Sequence, residues 1–246
     1  MSPLRRRWDE ARLALMLLTR LPAGRIAGDA DLAAARWAYP LAGLPVGLIA
    51  GLVHMGTLAL GASPATAAVA ALAALAAVTG GLHHDGLADF ADGMAGADRA
   101  RRLEIMRDSR IGSYGVLALG LTLAGMGAAL ADLGAAASPA AFVAVAVASR
   151  CAMLGVLVLL PPARGDGLGA AAHGTGGRAL AVGGATALVC LLPLGAAAVP
   201  LAAATVAAAA GIAAVARRRL GGQTGDVLGA VQLASEAAGW LALSLI

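Results

Sequence analysis

Between His83 and Ser113 the chain gathers residue types suited to holding a cation or moving a phosphate. The stretch opens His83-His84-Asp85-Gly86-Leu87-Ala88-Asp89-Phe90-Ala91-Asp92-Gly93 and closes on Arg107-Asp108-Ser109-Arg110-Ile111-Gly112-Ser113. Six of the fourteen acids fall inside it: Asp85, Asp89, Asp92, Asp98, Glu104 and Asp108. Asp85, Asp89 and Asp92 are spaced by four and three, so they share one face if the preceding apolar segment continues as a helix. Three like charges there would repel, and a hard divalent cation resolves the repulsion. Mg²⁺ prefers carboxylate oxygens and shares its shell with water and substrate phosphates. Solvated acids at a helix end are the plain alternative, but unpaired acids at a membrane boundary are costly, which favours the metal.

Other polar groups carry weaker signals. His83 is a general base toward a hydroxyl or a structural hydrogen-bonding group, and spacing does not decide between the two. Arg107 and Arg110, flanking Asp108 and Ser109, are either a clamp for phosphate oxygens or a solvated basic loop. Gly221-Gly222-Gln223-Thr224-Gly225-Asp226 puts Gly-rich backbone before a helix, where N–H groups can approach a phosphate, or it is only a tight turn. Arg150 and Glu236 lie inside apolar runs, so they pair with each other or line a polar cavity. The segment 161–178, with His173, is a mobile cover or a linker. Cys151 and Cys190 sit in apolar runs and read as buried small hydrophobes.

The elements that position these groups follow from composition. The 246 residues are 60% hydrophobic and 13% charged, against about 25% charged in a soluble domain. That excludes an ordinary cytosolic globule. A helix spans the hydrocarbon with about 20 apolar residues. Spans are predicted near 41–60 and 64–82, divided by Gly61-Ala62-Ser63-Pro64, and at 112–131, 139–160 and 228–246. The uncharged run 179–216 would be about 57 Å long as one helix, so it is split near Val199-Pro200. The expectation is an all-α polytopic bundle of seven spans forming one domain, 1–246, with cytoplasmic active-site loops near 83–113, 161–178 and 217–227.

All 18 basic residues are Arg. In the seven-span arrangement every one outside a span falls on a single side, which the positive-inside rule makes cytoplasmic, N-terminus included. Leaving 179–216 unsplit would put Arg217, Arg218 and Arg219 on the wrong side. Leu4, Trp8, Ala11, Leu15 and Leu18 recur at helical spacing with Arg5 and Arg12 on another face, so an N-terminal interfacial helix precedes the first span. The apolar run after Arg5-Arg6-Arg7 is broken by Asp9, Glu10 and Arg12, so a cleaved signal peptide is not expected.

These motifs resemble one family, the cobalamin synthases or adenosylcobinamide-GDP ribazoletransferases. The resemblance rests on Gly80-Gly81-Leu82-His83-His84-Asp85-Gly86-Leu87-Ala88-Asp89 with Asp92-Gly93, and on Leu103-Glu104-Ile105-Met106-Arg107-Asp108-Ser109-Arg110-Ile111-Gly112. Gly221 to Ala230 and the shorter Thr19-Arg20-Leu21-Pro22 and Ser149-Arg150 also match. Phe90 departs from the pattern where a small polar residue is usual. Leu233 stands where an acid is common, with Glu236 nearby.

The resemblance implies an Mg²⁺-dependent transferase in the inner membrane of a bacterium. It joins adenosylcobinamide-GDP to α-ribazole, or its 5′-phosphate, releasing GMP and forming adenosylcobalamin or its 5′-phosphate. Read onto this sequence, Asp85, Asp89, Asp92 and Asp226 hold the metal, and His83, Arg107, Asp108 and Arg110 are catalytic. Arg150, Gly222, Thr224, Gly225 and Glu236 bind substrate. The partners are these small molecules and the lipid bilayer, with no nucleic acid, and self-association is left open. A phospholipid-type transferase is a competing reading, but only Asp89-x-x-Asp92-Gly93 fits the start of its motif. A transporter would place charges at mid-membrane rather than at one interface.

Overall fold

The computed structural model describes residues 2–26, 31–174 and 176–246, and all regular elements among them are helices. An amphipathic α1 (Pro3–Leu18) and a one-turn α2 (Leu32–Ala35) precede the bundle. Its long members are α3 (Tyr39–Ala59), α4 (Pro64–Thr79), α7 (Ser113–Leu133), α8 (Pro139–Leu159), α10 (Gly177–Leu191), α11 (Ala198–Leu220) and α12 (Gly225–Ser244). Three short helices, α5 (Leu82–Gly93), α6 (Arg99–Ile105) and α9 (Gly167–Ala172), lie in the connections. Local chemistry sets several starts. Ser63 and Ser138 accept the N–H of Thr66 and Ala141 ahead of Pro64 and Pro139, and Thr224 accepts that of Val227. Each satisfies an amide that the first helical turn leaves open, with proline where its missing N–H costs nothing.

Five helical stretches are long and apolar enough to cross a bilayer, or six if α4 and α5, bent by 91°, count as one span. The sequence predicts seven. The difference lies in Gly177–Leu220, a single 44-residue stretch by length and composition. A 3-10 turn at Leu192–Ala197 interrupts it, with Gly195 at φ 56°. Both ends of the stretch reach the C-terminal end of α8, Gly176 beside Val158 and Gly222 beside Pro161. The stretch therefore doubles back, a few residues before Val199-Pro200.

The second expected helix also ends early. Gly80 and Gly81 both take positive φ, 64° and 73°, a conformation that only glycine adopts readily. The chain turns there, so α5 crosses the starts of α12 and α7 instead of extending α4. In the centre, α3 lies directly on α8 through Gly43, Gly47 and Gly51. A Cβ at these positions would stand 2.7, 2.5 and 2.6 Å from Ala146 O, Phe142 O and Pro139 Cα. Small residues at a spacing of four let the two backbones approach, as lipid-embedded helices require. In α1, Ala14 and Leu18 are buried while Leu4 and Trp8 stay 84% and 66% exposed, the pattern of a helix lying at an interface.

Candidate functional site

The bend at Gly80-Gly81 sets the site by aiming the four acids differently. Gly86 brings α5 onto α12, where a Cβ would lie 3.0 Å from Asp226 O and from Gly229 Cα. Asp85 is thus exposed beside Asp226, and Asp89, one turn on, is half-buried. Among the described residues neither the Asp85 nor the Asp89 carboxylate has a hydrogen bond or ion pair; Asp89 faces the negative charges of Asp85, Asp226 and Asp92. Asp92 points the other way. Its two oxygens accept the backbone N–H groups of Gly112 at 2.7 Å and Gly115 at 2.8 Å. It caps α7, using amides that a helix start leaves open. No three His, Cys, Asp or Glu side chains among the described residues stand together in a finished metal-holding group.

The three polar segments meet at this end of the bundle. Arg107 on the α6–α7 connection bonds both oxygens of Asp166 at 2.7 and 2.6 Å. Arg164 stands 3.6 Å from Asp166 and 3.6 Å from Asp226. Asp226 also accepts from the Thr224 hydroxyl at 3.2 Å. The loop after α8 is paired with the turn before α12: Ala163 N donates to Gln223 O and Gln223 N to Pro161 O, both at 2.8 Å. Gly222 is required there, because a Cβ would collide with the Pro161 carbonyl. Gly225 opens α12 with free space around its Cα. Buried Gln223 donates to Gly169 O at 2.9 Å and so holds α9 over the site.

Asp108 and Arg110 stand apart from this group. They bond one another at 3.0 and 2.7 Å. The Arg110 hydrogen bonds hold the Asp108 carboxyl down at about 2.

Behind the acids lies a second polar layer. His83 is 2% exposed and its Nε2 has no hydrogen-bond partner. It lines an apolar slot of about 110 Å³ with Leu17, Leu18, Tyr39, Leu168, Asp85 and Asp226. On its other side is a chamber of about 10 Å³ walled by His84, Arg150, Gln232, Leu233 and Glu236, the size of one water. Arg150 is wholly buried, gives one N–H to Ala146 O at 2.9 Å, and leaves Nε unpartnered. It does not reach Glu236 directly. Gln232 comes between, donating to Glu236 at 2.6 Å and Ser149 at 3.0 Å. Arg150 and Glu236 therefore line a common polar chamber. Leu233 fills the wall beside them, and Phe90 is buried in the apolar core.

Sequence reasoning did not single out Arg164, Asp166, Gln223 or Gln232. Gln223 sat within a quoted motif, and Gln232 lies one helical turn before Glu236, which was a usable signal. Arg164 and Asp166 lie in a glycine-rich loop, and apart from each other their ion-pair partners, Asp226 and Arg107, are distant in sequence.

A profile of the cobalamin-5-phosphate synthase family matches residues 10–244. A Bradyrhizobium diazoefficiens protein named adenosylcobinamide-GDP ribazoletransferase is 44% identical over 236 residues, covering 92% of this chain and 90% of its own. Proteins of the same name from Mesorhizobium japonicum and Sinorhizobium medicae are 41% and 38% identical, covering 96% and 100% of this chain and 93% and 100% of their own. No solved structure matches the chain. The profile spans nearly the whole chain and takes in all three polar segments that converge at one end of the bundle, so the chain belongs to the cobalamin-5-phosphate synthase family.

Proposed function

We propose that the chain is an adenosylcobinamide-GDP ribazoletransferase. It transfers the phosphocobinamide group of adenosylcobinamide-GDP to α-ribazole, or to its 5′-phosphate, releasing GMP and forming adenosylcobalamin or its 5′-phosphate. This is the final step in assembling the nucleotide loop of the coenzyme. One observation carries the reading. Motifs from three distant parts of the chain meet around Asp85 and Asp89, whose carboxylates have no cationic partner among the described residues, and Asp226, which has only Arg164 at 3.6 Å, in a chain whose relatives bear that name.

The donor set suits magnesium. Asp85, Asp89 and Asp226 are hard oxygen donors on two crossing helices, two of them without a hydrogen bond or ion pair among the described residues, and they would hold the ion. Bound there, Mg²⁺ supplies the positive charge that a departing nucleotide phosphate needs. Asp92 acts from behind, fixing the start of α7 against α5. The ribazole hydroxyl attacks the phosphorus that carries cobinamide. His83, on the wall of the slot with a free ring nitrogen, takes the hydroxyl proton. Arg107 and Arg164 orient the phosphate oxygens from the loop side. The apolar slot takes the acceptor's flat base. The polar end faces the cytoplasm from the inner membrane, a placement that the arginine distribution supports.

The test is GMP release and corrinoid product from detergent-purified protein with adenosylcobinamide-GDP, α-ribazole and Mg²⁺. Turnover is expected only with the metal and an intact Asp89. Full Mg²⁺-dependent turnover by Asp89→Asn would sink the metal scheme, and no product from the unaltered chain would sink the transferase.

A further inference from the structure

One polar group in the apolar slot has no part in the transfer described above. Tyr39, the first residue of α3, is 2% exposed, and its hydroxyl has no hydrogen-bond partner. It lines the slot of about 110 Å³ that also carries His83, Asp85 and Asp226. The rest of the wall is apolar, led by Leu17 and Leu18 of α1, Met153 of α8, Leu168 of α9 and Leu228 of α12. A buried hydroxyl almost always finds a partner, because leaving it bare forfeits the water it gave up. Phenylalanine would fill the same space without that cost. The slot is the cavity that Tyr39 borders, so a molecule seated there is what can give the hydroxyl its bond.

Size and chemistry narrow that molecule. An apolar cavity of about 150 Å³ takes a benzene ring, so the slot is on the scale of one flat ring system and excludes a corrinoid. Guanine carries a carbonyl, a ring N–H and an exocyclic amine, each of which needs a partner once buried. With Asp85 and Asp226 committed to the metal, the wall does not offer so many. The benzimidazole of α-ribazole is apolar except for the one ring nitrogen that the ribose leaves free, and that nitrogen accepts a single hydrogen bond. We propose that Tyr39 is a specificity-determining residue: its hydroxyl donates to the free ring nitrogen of α-ribazole while the leucines and Met153 pack on the ring. A site built around one hydrogen bond rejects a ring that lacks the matching atom, because its own buried group is then left unpaired. The proposal rests on the reading of the slot as the seat of the ribazole base.

The experiment uses the full chain in detergent with α-ribazole and with an analogue in which C–H replaces the free ring nitrogen. The rise in melting temperature with ligand concentration reads binding without turnover, and GMP release reads KM for each substrate. Tyr39→Phe is expected to melt no lower than wild type, since the hydroxyl bonds nothing in the protein. Its binding midpoint and KM for α-ribazole should rise about five-fold, the weight of one neutral hydrogen bond, with KM for adenosylcobinamide-GDP unchanged. Wild type should lose the same factor toward the analogue, and Tyr39→Phe should treat the two ribosides alike. Equal binding of both by wild type overturns the proposal, and that comparison needs no variant. A Tyr39→Phe that still discriminates between them overturns it as well, and so does an effect confined to adenosylcobinamide-GDP, which would put guanine in the slot. α-Ribazole bound through Tyr39 without GMP release would end the transferase reading and keep the slot, whereas GMP release with no discrimination would end only the role of Tyr39.

Discussion

Gly86 and Gly229 face each other where α5 crosses α12, and a Cβ on Gly86 would stand 3.0 Å from the Gly229 Cα. This crossing brings Asp85 and Asp226 together, because Gly86 follows one and Gly229 lies three residues after the other. Gly86→Val must push the helices apart. Overpacking of this kind costs about 1–3 kcal/mol. The expected result is a protein that still inserts and melts cooperatively at a lower temperature, yet loses most Mg²⁺-dependent GMP release. Normal turnover in a well-folded Gly86→Val would show that the Asp85–Asp226 approach is not needed.

Asp89 and Asp92 should separate cleanly in mutagenesis, although the sequence presents them as equivalents. Asp92 holds two backbone amides, so Asp92→Asn turns an –NH₂ toward one of them. Leaving a buried amide unsatisfied costs about 1–3 kcal/mol. The Asp89 carboxylate has no partner among the described residues and faces like charge, so Asp89→Asn should leave the melting temperature equal or raise it, while abolishing turnover. Paired melting curves and Mg²⁺ titrations of rate check this. Asp92→Asn should keep its Mg²⁺ midpoint. Loss of metal dependence in a fully stable Asp92→Asn would instead make Asp92 a ligand.

That contrast marks where the sequence stopped being legible. Apolar runs and the Gly61-Ala62-Ser63-Pro64 break placed the ends of α3, α4, α7 and α8 within a few residues, because those signals are local. The spacing of Asp85, Asp89 and Asp92 suggested one helix continuing the preceding span, whereas they stand on the separate short α5. It could not tell that Gly80 and Gly81 would turn that helix across the bundle and send Asp92 to the start of α7. The break at Gly195 was misplaced to Val199-Pro200, since proline within two or three residues of a helix start is tolerated and did not mark the turn. Arg164 and Asp166 had no readable role, because their partners Arg107 and Asp226 lie about 60 residues away in either direction.

The Arg107–Asp166–Arg164 chain should matter to substrate and hardly at all to stability. Arg107 and Asp166 are more than half exposed, and ion pairs of that kind contribute about 0–1 kcal/mol. Asp166→Asn is expected to leave the melting temperature within a degree or two. It frees Arg107 and Arg164 from a fixed arrangement, so KM for the GDP-activated substrate should rise about ten-fold with a smaller change in kcat. Arg164→Gln, which also leaves Asp226 without its cation, should reduce both. Equal KM values for Asp166→Asn and wild type would remove this loop from substrate binding.

Arg150 and Glu236 test the buried layer behind the acids. Arg150 is wholly buried with one hydrogen bond and Glu236 is 4% exposed. Removing one buried charge leaves the other uncompensated, at a cost of about 3–5 kcal/mol. Arg150→Met should therefore melt far lower than wild type, and Glu236→Gln should as well. The double variant Arg150→Met/Glu236→Gln should regain part of the loss, because neither charge is then stranded. A double variant whose loss equals the sum of the two singles would mean that the side chains lining this chamber do not sense each other's charge. If the double variant regains stability without regaining GMP release, the pair serves the reaction as well as the fold, since His83 shares the chamber wall with both.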